Sequence, residues 1–386
     1  MNDNNDGKSR SQPASRVPLV ALVVGVVGTL GVYFLVRGGG AHPPTSATAT
    51  TPSASAAAPV AGGEGLGASQ RVGGPEPTPG GPAAGRTGAA GVPGQSCKGL
   101  AKTCGATPED CCASLPVQGG AFLRSYDGVT NSDKSHPATV STFRLDKYEI
   151  TVGRFRKFVK AVANGWTPLP GSGKHQHLHG GAGLNDGAEG GWDASWSGTL
   201  PGTAGEWNTK LACSAKFQTW TPGEGANETR PVNCVDWFET YAFCIWDGGF
   251  LPTEAEWNYA ASGGGEQRFY PWSSPPASDA IDDTLAVFCG ASCSSAQNVG
   301  AKPKGNGKWG QADLAGNLWE WTFDGYSKSY PAAACHDCAG VAETDRRVIR
   351  GGYFSASGPG LLASVRNGAV ADSRGDPIGA RCARAP

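Results

Sequence analysis

The 386-residue chain sets 32 Lys and Arg against 33 Asp and Glu, a net charge of −1 with no long basic run. That balance offers no basic stripe for nucleic acid, so no nucleic-acid partner is expected. Residues 38 to about 95 are almost entirely Gly, Ala, Pro, Ser and Thr, which excludes a packed core there.

At the N-terminus, Lys8, Arg10 and Arg16 precede an uncharged run from Val17 to Val36. At about 1.5 Å of rise per residue such a run crosses a bilayer core. The positive-inside rule then keeps residues 1–16 in the cytoplasm and exports the remainder of the chain. A cleaved signal peptide is the alternative, but the run is long for one and no small-x-small site directly succeeds it. The expected organisation is a cytoplasmic tail (1–16), a single transmembrane anchor (17–36) in the cytoplasmic membrane and a disordered linker (37–95). The folded part is then periplasmic or extracellular, as in an exported bacterial protein.

All twelve cysteines, from Cys97 onward, lie on the exported side. In an oxidising compartment they read as disulfides. Connectivity is not readable from sequence, although neighbours suggest Cys289 with Cys293 and Cys213 with Cys234. Residues 96–117 hold Cys97, Cys104, Cys111 and Cys112, a lead-in expected to cross-link a small cap onto the main domain (118–386). A zinc knuckle is the alternative, without a supporting histidine.

The rest is rich in glycine, with 59 in the chain, and its twelve tryptophans all fall between Trp166 and Trp321. This favours a loop-rich α+β domain. A first helix is predicted from Thr151, with Val152, Phe155, Val159 and Val162 as its apolar stripe. Arg154, Arg156, Lys157 and Lys160 fall largely on other faces and read as solvated. Asp236 with Glu239, and Thr253 with Glu256, are capping boxes that start two more helices. Gly248-Gly249 and Gly263 to Gly265 stop them. Glu254 and Glu256 therefore have structural work to do. A strand is expected at Arg347–Arg350, before Gly351-Gly352.

Four blocks and a closing motif carry a family resemblance. They are Leu145-Asp146-Lys147-Tyr148-Glu149-Ile150-Thr151-Val152; Pro231 to Trp257, with its Leu251-Pro252-Thr253-Glu254-Ala255-Glu256-Trp257; Asp313-Leu314-Ala315-Gly316-Asn317-Leu318-Trp319-Glu320-Trp321; Arg347 to Gly352; and Gly379-Ala380-Arg381-Cys382-Ala383. In this order the chain resembles the formylglycine-generating enzyme (sulfatase-modifying factor) family over about residues 118–385. The resemblance implies that family's α+β fold, similar to a C-type lectin domain, and a disulfide between Cys244 and Cys382. It also implies calcium at Asn317 and Glu320, whose hard oxygens suit that ion.

Oxidase members of the family hold copper(I) with two thiolates just after the Gly-Gly turn. Here the count from Gly351-Gly352 places Ala356 and Leu361 at those positions, and no cysteine occurs between Cys338 and Cys382. Without soft ligands a copper site is not expected. His175-x-His177-x-His179 would put three imidazoles on one face of a strand. Its glycine-rich flanks instead favour solvated loop histidines. Cys335-His336-Asp337-Cys338 reads as an inert disulfide rather than a redox pair, because no strand-to-helix context surrounds it.

The sequence supports two functional readings. One is a catalytically silent, membrane-tethered binding or accessory module for a peptide, glycan or protein ligand. Trp192, Trp196, Trp207 and Trp220 then either line its groove or fill the core of an insertion. The other is a metal-dependent oxidase, either sulfatase maturation or a relocated site at His175, His177 and His179.

Overall fold

The computed structural model describes residues 94–386 except 292, 294, 332, 333 and 341–343. The tail at 1–16, the anchor at 17–36 and the linker up to residue 93 lie outside the described residues. Among the described residues no helix is long and apolar enough to cross a membrane.

Within that part, ten short strands, five α-helices and six short 3-10 turns alternate with long loops. The strands are β1 (Ser114–Val117), β2 (Gly120–Leu123), β3 (Pro137–Val140), β4 (Phe143–Asp146), β5 (Trp319–Gly325), β6 (Cys335–His336), β7 (Arg346–Arg350), β8 (Arg366–Val370), β9 (Ile378–Gly379) and β10 (Ala383–Arg384). The helices are α1 (Val152–Ala163), a one-turn α2 (Leu184–Gly187), α3 (Ala204–Lys210), α4 (Trp237–Trp246) and α5 (Glu254–Ala261). Three small sheets result, in the orders β1-β4-β10, β2-β3-β6 and β8-β7-β5-β9.

Local chemistry sets the helix starts. The Thr151 side chain accepts from the Arg154 amide at the head of α1. Asp236 with Glu239 and Thr253 with Glu256 form the two expected capping boxes. Each box satisfies two backbone donors that the first turn leaves open.

The twelve cysteines form six disulfides, and none is free. Cys244 in α4 is bonded to Cys382 beside β10, 138 residues away in sequence. In the chain-entropy view that closure is worth about 5 kcal/mol. The lead-in behaves differently from expectation. Its disulfides, Cys97–Cys112 and Cys104–Cys111, are internal and tie nothing to the main domain. The attachment is non-covalent: Ser96 bonds to Asp247 and Glu109 to Lys147 and Tyr148, and Cys104 and Cys111 pack against Tyr148, Val299 and Ala312. β1, at the end of the lead-in, pairs along the whole of β4.

The reading of Arg154 and Arg156 as solvated is also corrected. Arg154 is fully buried and Arg156 nearly so. Arg154 lies 3.0 Å from Asp146 and 2.7 Å from Asp247. Arg384 closes the square on the same two carboxylates at 3.0 and 2.7 Å. Burial alone would raise the Asp247 pKa, but the guanidinium groups of Arg154 and Arg384 hold it below the usual carboxylate range. The helical stripe showed which face is apolar. The acids that draw an arginine inward come from β4 and from the end of α4, out of reach of that periodicity.

Trp192, Trp207 and Trp220 are buried in the largest apolar cluster with Phe155, Phe158 and Phe243. They belong to the main core, against α1 and α4, rather than line a groove.

Removing one arm of the buried square strands a carboxylate. Arg154→Met should therefore lower the unfolding free energy by about 3–5 kcal/mol, measured by denaturant titration. A loss under about 1 kcal/mol would show that Arg384 alone suffices.

Candidate functional site

Strand β7 delivers the chain into Gly351-Gly352, both at positive φ, 97° and 72°. A Cβ on Gly352 would sit 2.6 Å from the Gly360 carbonyl oxygen, so the tight return requires glycine. The returning segment carries the two positions expected to have lost copper ligands. Leu361 is fully buried with Phe269, Tyr270, Phe288 and Leu362, and Ala356 packs against the same cluster. Tyr353 stacks on Trp319 with ring centroids 6.5 Å apart, and Phe354 packs on Phe217. An apolar plug thus fills the segment that follows the Gly-Gly turn. Every cysteine is committed to a disulfide, so the residues present do not fit copper(I). The same commitment removes the zinc knuckle, because bonded sulfurs offer no thiolate.

The expected calcium pair is built from the turn before β5. Asn317, at φ 59°, accepts from the Gln297 amide through its side-chain oxygen and donates to Glu149. Glu320 accepts from Arg381 at 2.6 and 2.7 Å and from the Trp257 indole at 2.8 Å. A guanidinium across the carboxylate repels a dication, so Asn317 and Glu320 in this arrangement do not fit calcium. Around them, burial raises Glu149 well above the usual carboxylate range, helped by Asp313 and Glu320. Burial likewise pushes Asp313 up to about 6.

The three spaced histidines lie on a loop, not a strand, and do not converge. His175 is fully buried, correcting its reading as solvated. Its Nδ1 is 2.9 Å from Glu189 and its Nε2 3.2 Å from Glu256. Burial alone would lower its pKa, but Glu256 and the Glu189 hydrogen bond together raise it to about 9. Both nitrogens of this imidazolium are occupied, so His175 is no metal ligand. His177 stacks on Phe250 at 5.4 Å, and neither ring nitrogen has a partner among the described residues. His179 is partly exposed and lies beside His336, ring centroids 6.4 Å apart. Sequence reasoning gave Glu256 a capping role, which it has, and missed that the same carboxylate holds His175. Glu189, set among glycines, carries no pattern that would have marked it.

An apolar plug thus sits behind a Gly-Gly turn on a disulfide-rich α+β frame. Residues 101–386 match the Sulfatase-modifying factor enzyme 1-like domain, and the chain belongs to that family. Among curated relatives, the inactive C-alpha-formylglycine-generating enzyme 2 of Mus musculus is 30% identical over 307 residues, covering 70% of this chain and 85% of that protein. The formylglycine-generating enzyme of Streptomyces coelicolor is 30% identical over 296 residues, covering 69% and 85%. A solved structure, PvdO from Pseudomonas aeruginosa, aligns over 71% of this chain and 94% of that one, with a TM-score of 0.49 and 21% identity.

The raised pKa of His175 has a measurable consequence. With a folded value near 9 against about 6.5 unfolded, its contribution is complete below about pH 6.5 and is lost as pH rises through 9. The stability gap between wild type and His175→Gln should shrink by on the order of 3 kcal/mol between about pH 6 and pH 10. Thermal or urea unfolding across that range measures it, and a constant gap would place the charge elsewhere.

Proposed function

We propose that this chain is a catalytically silent member of its family, tethered to the cytoplasmic membrane and exported. It acts there as a binding or accessory module for a peptide, glycan or protein ligand. The observation that carries this reading is that the segment after the Gly-Gly turn packs Ala356 and buried Leu361 in an apolar cluster, with every cysteine locked in a disulfide. Relatives described as inactive, in mouse and in cattle, share 30% identity with it. Six disulfides suit an oxidising compartment, and the apolar run from Val17 to Val36 suits an anchor.

The test incubates the full chain with copper(I), dioxygen and a peptide carrying a sulfatase-type cysteine, and reads the peptide by mass spectrometry. The expected result is an unchanged cysteine. Formylglycine formation above the copper-only control would overturn the silent reading. Fractionation addresses the tether separately. The chain should stay with membranes through a high-salt wash, and recovery in the soluble fraction would reject the anchor.

A further inference from the structure

Cys335-His336-Asp337-Cys338 closes a disulfide at the edge of the β2-β3-β6 sheet. Its two sulfurs are placed unequally. Cys335 pairs in register with Ala138 of β3 and is 3% exposed, whereas Cys338 lies beyond the strand and is only partly buried. Among the described residues no helix begins at Cys338, so no helix N-terminus acts on its sulfur. A guanidinium does. Arg124, directly after β2, is 6% exposed, and its Nη1 lies 3.8 Å from the Cys338 Sγ. Its Nε and Nη2 have no partner among the described residues. The acids nearby are engaged elsewhere. Glu254 pairs with Arg350 and Arg366, and Asp324 accepts from the amides of Glu254 and Gly340. Asp337 accepts from the Ser141 amide and hydroxyl at 2.6 and 2.7 Å. The Arg124 charge therefore falls on the Cys338 sulfur, where a cation favours thiolate over thiol.

The same sheet edge is open. A cavity of about 390 Å³ with mostly apolar walls lies over β2 and β3 and reaches Cys335. Ala121, Leu123, Pro137, Thr139 and Gln267 line it with that cysteine. An extended, apolar segment fits such a groove and arrives at the disulfide.

We propose that Cys335–Cys338 is a thiol–disulfide exchange site for a polypeptide that carries two cysteines flanked by apolar residues. One thiol of that polypeptide gives its proton to water, and the thiolate attacks the Cys338 Sγ, the more exposed sulfur. A new S–S bond forms there and the Cys335–Cys338 bond breaks. Its electron pair leaves on Cys335, which takes a proton from water. The second thiolate of the polypeptide then attacks its own sulfur in the mixed disulfide and expels the Cys338 thiolate, which Arg124 stabilises. Two electrons pass. The polypeptide ends as a disulfide, and Cys335 and Cys338 end as a thiol and a thiolate. Reverse exchange with a small-molecule disulfide restores the pair. None of these steps uses copper, and they proceed whether or not the turn after β7 is silent.

Two measurements on the untagged full chain in mild detergent test this. In the first, a synthetic peptide with two leucine-flanked cysteines is added, free thiols are alkylated, and the opened disulfide is mapped by mass spectrometry. Cys335–Cys338 should open, and a serine-flanked peptide should open it roughly tenfold more slowly. In the second, Cys335→Ala frees the Cys338 thiol, and its alkylation rate is followed against pH. The midpoint should lie below about 8.5, the value of an unperturbed thiol. Adding Arg124→Met should raise it by about one unit or more, and Arg124→Lys should restore most of the shift. The pH profile and the lysine rescue separate a lost charge from a lost fold. A Cys335–Cys338 bond that stays closed, equal rates with the two peptides, or a midpoint indifferent to Arg124→Met would overturn the proposal.

Discussion

The buried square of Arg154, Asp146, Asp247 and Arg384 is the constraint on which the rest of the fold depends. Its corners come from α1, β4, the end of α4 and β10, and Ser96 of the lead-in bonds to both Arg154 and Asp247. Charges so deeply enclosed are tolerable only when each is met by an opposite charge in good geometry. The square therefore acts less as a source of stability than as a rule of assembly. The four elements must arrive in one arrangement, because any other leaves a charge unpaired.

A similar economy holds around the Gly-Gly turn. Arg350 of β7 is enclosed with Glu254, which also takes Arg366 of β8. Arg381 is enclosed with Glu320 of β5. These pairs position β5, β7 and the turn after it without any contribution from copper ligands. Chemistry in such a scaffold is thus separable from its architecture: buried ion pairs hold the frame, while the segment after the turn packs Ala356 and Leu361 in an apolar cluster.

Where an interaction is local, the sequence announced it. Thr151, Asp236 and Thr253 each sit a few residues from the groups they cap, so both partners fall within one window. The disulfide of Cys244 with Cys382 was readable only through the family motif. Long-range polar pairing left no such trace. Arg154 reads as a surface residue on a helical wheel, and His175 reads as a loop residue among glycines. Their burial is decided by Asp146, Asp247, Glu189 and Glu256, which periodicity does not connect to them. The tryptophans of the insertion were ambiguous for the same reason: composition shows that large rings must be packed, not where.

The placement of residues 382–384 has a consequence for how the molecule is made. Cys382, Ala383 and Arg384 respectively supply a disulfide to α4, a strand pairing to β4 and the final corner of the charged square. Until they emerge, Asp146 and Asp247 lack one of their two guanidinium partners and Cys244 lacks its mate. Synthesis delivers residue 146 more than two hundred residues ahead of its partner at 384. Closing the charged square and the Cys244 disulfide therefore requires contacts of high sequence separation, of the kind that slow folding.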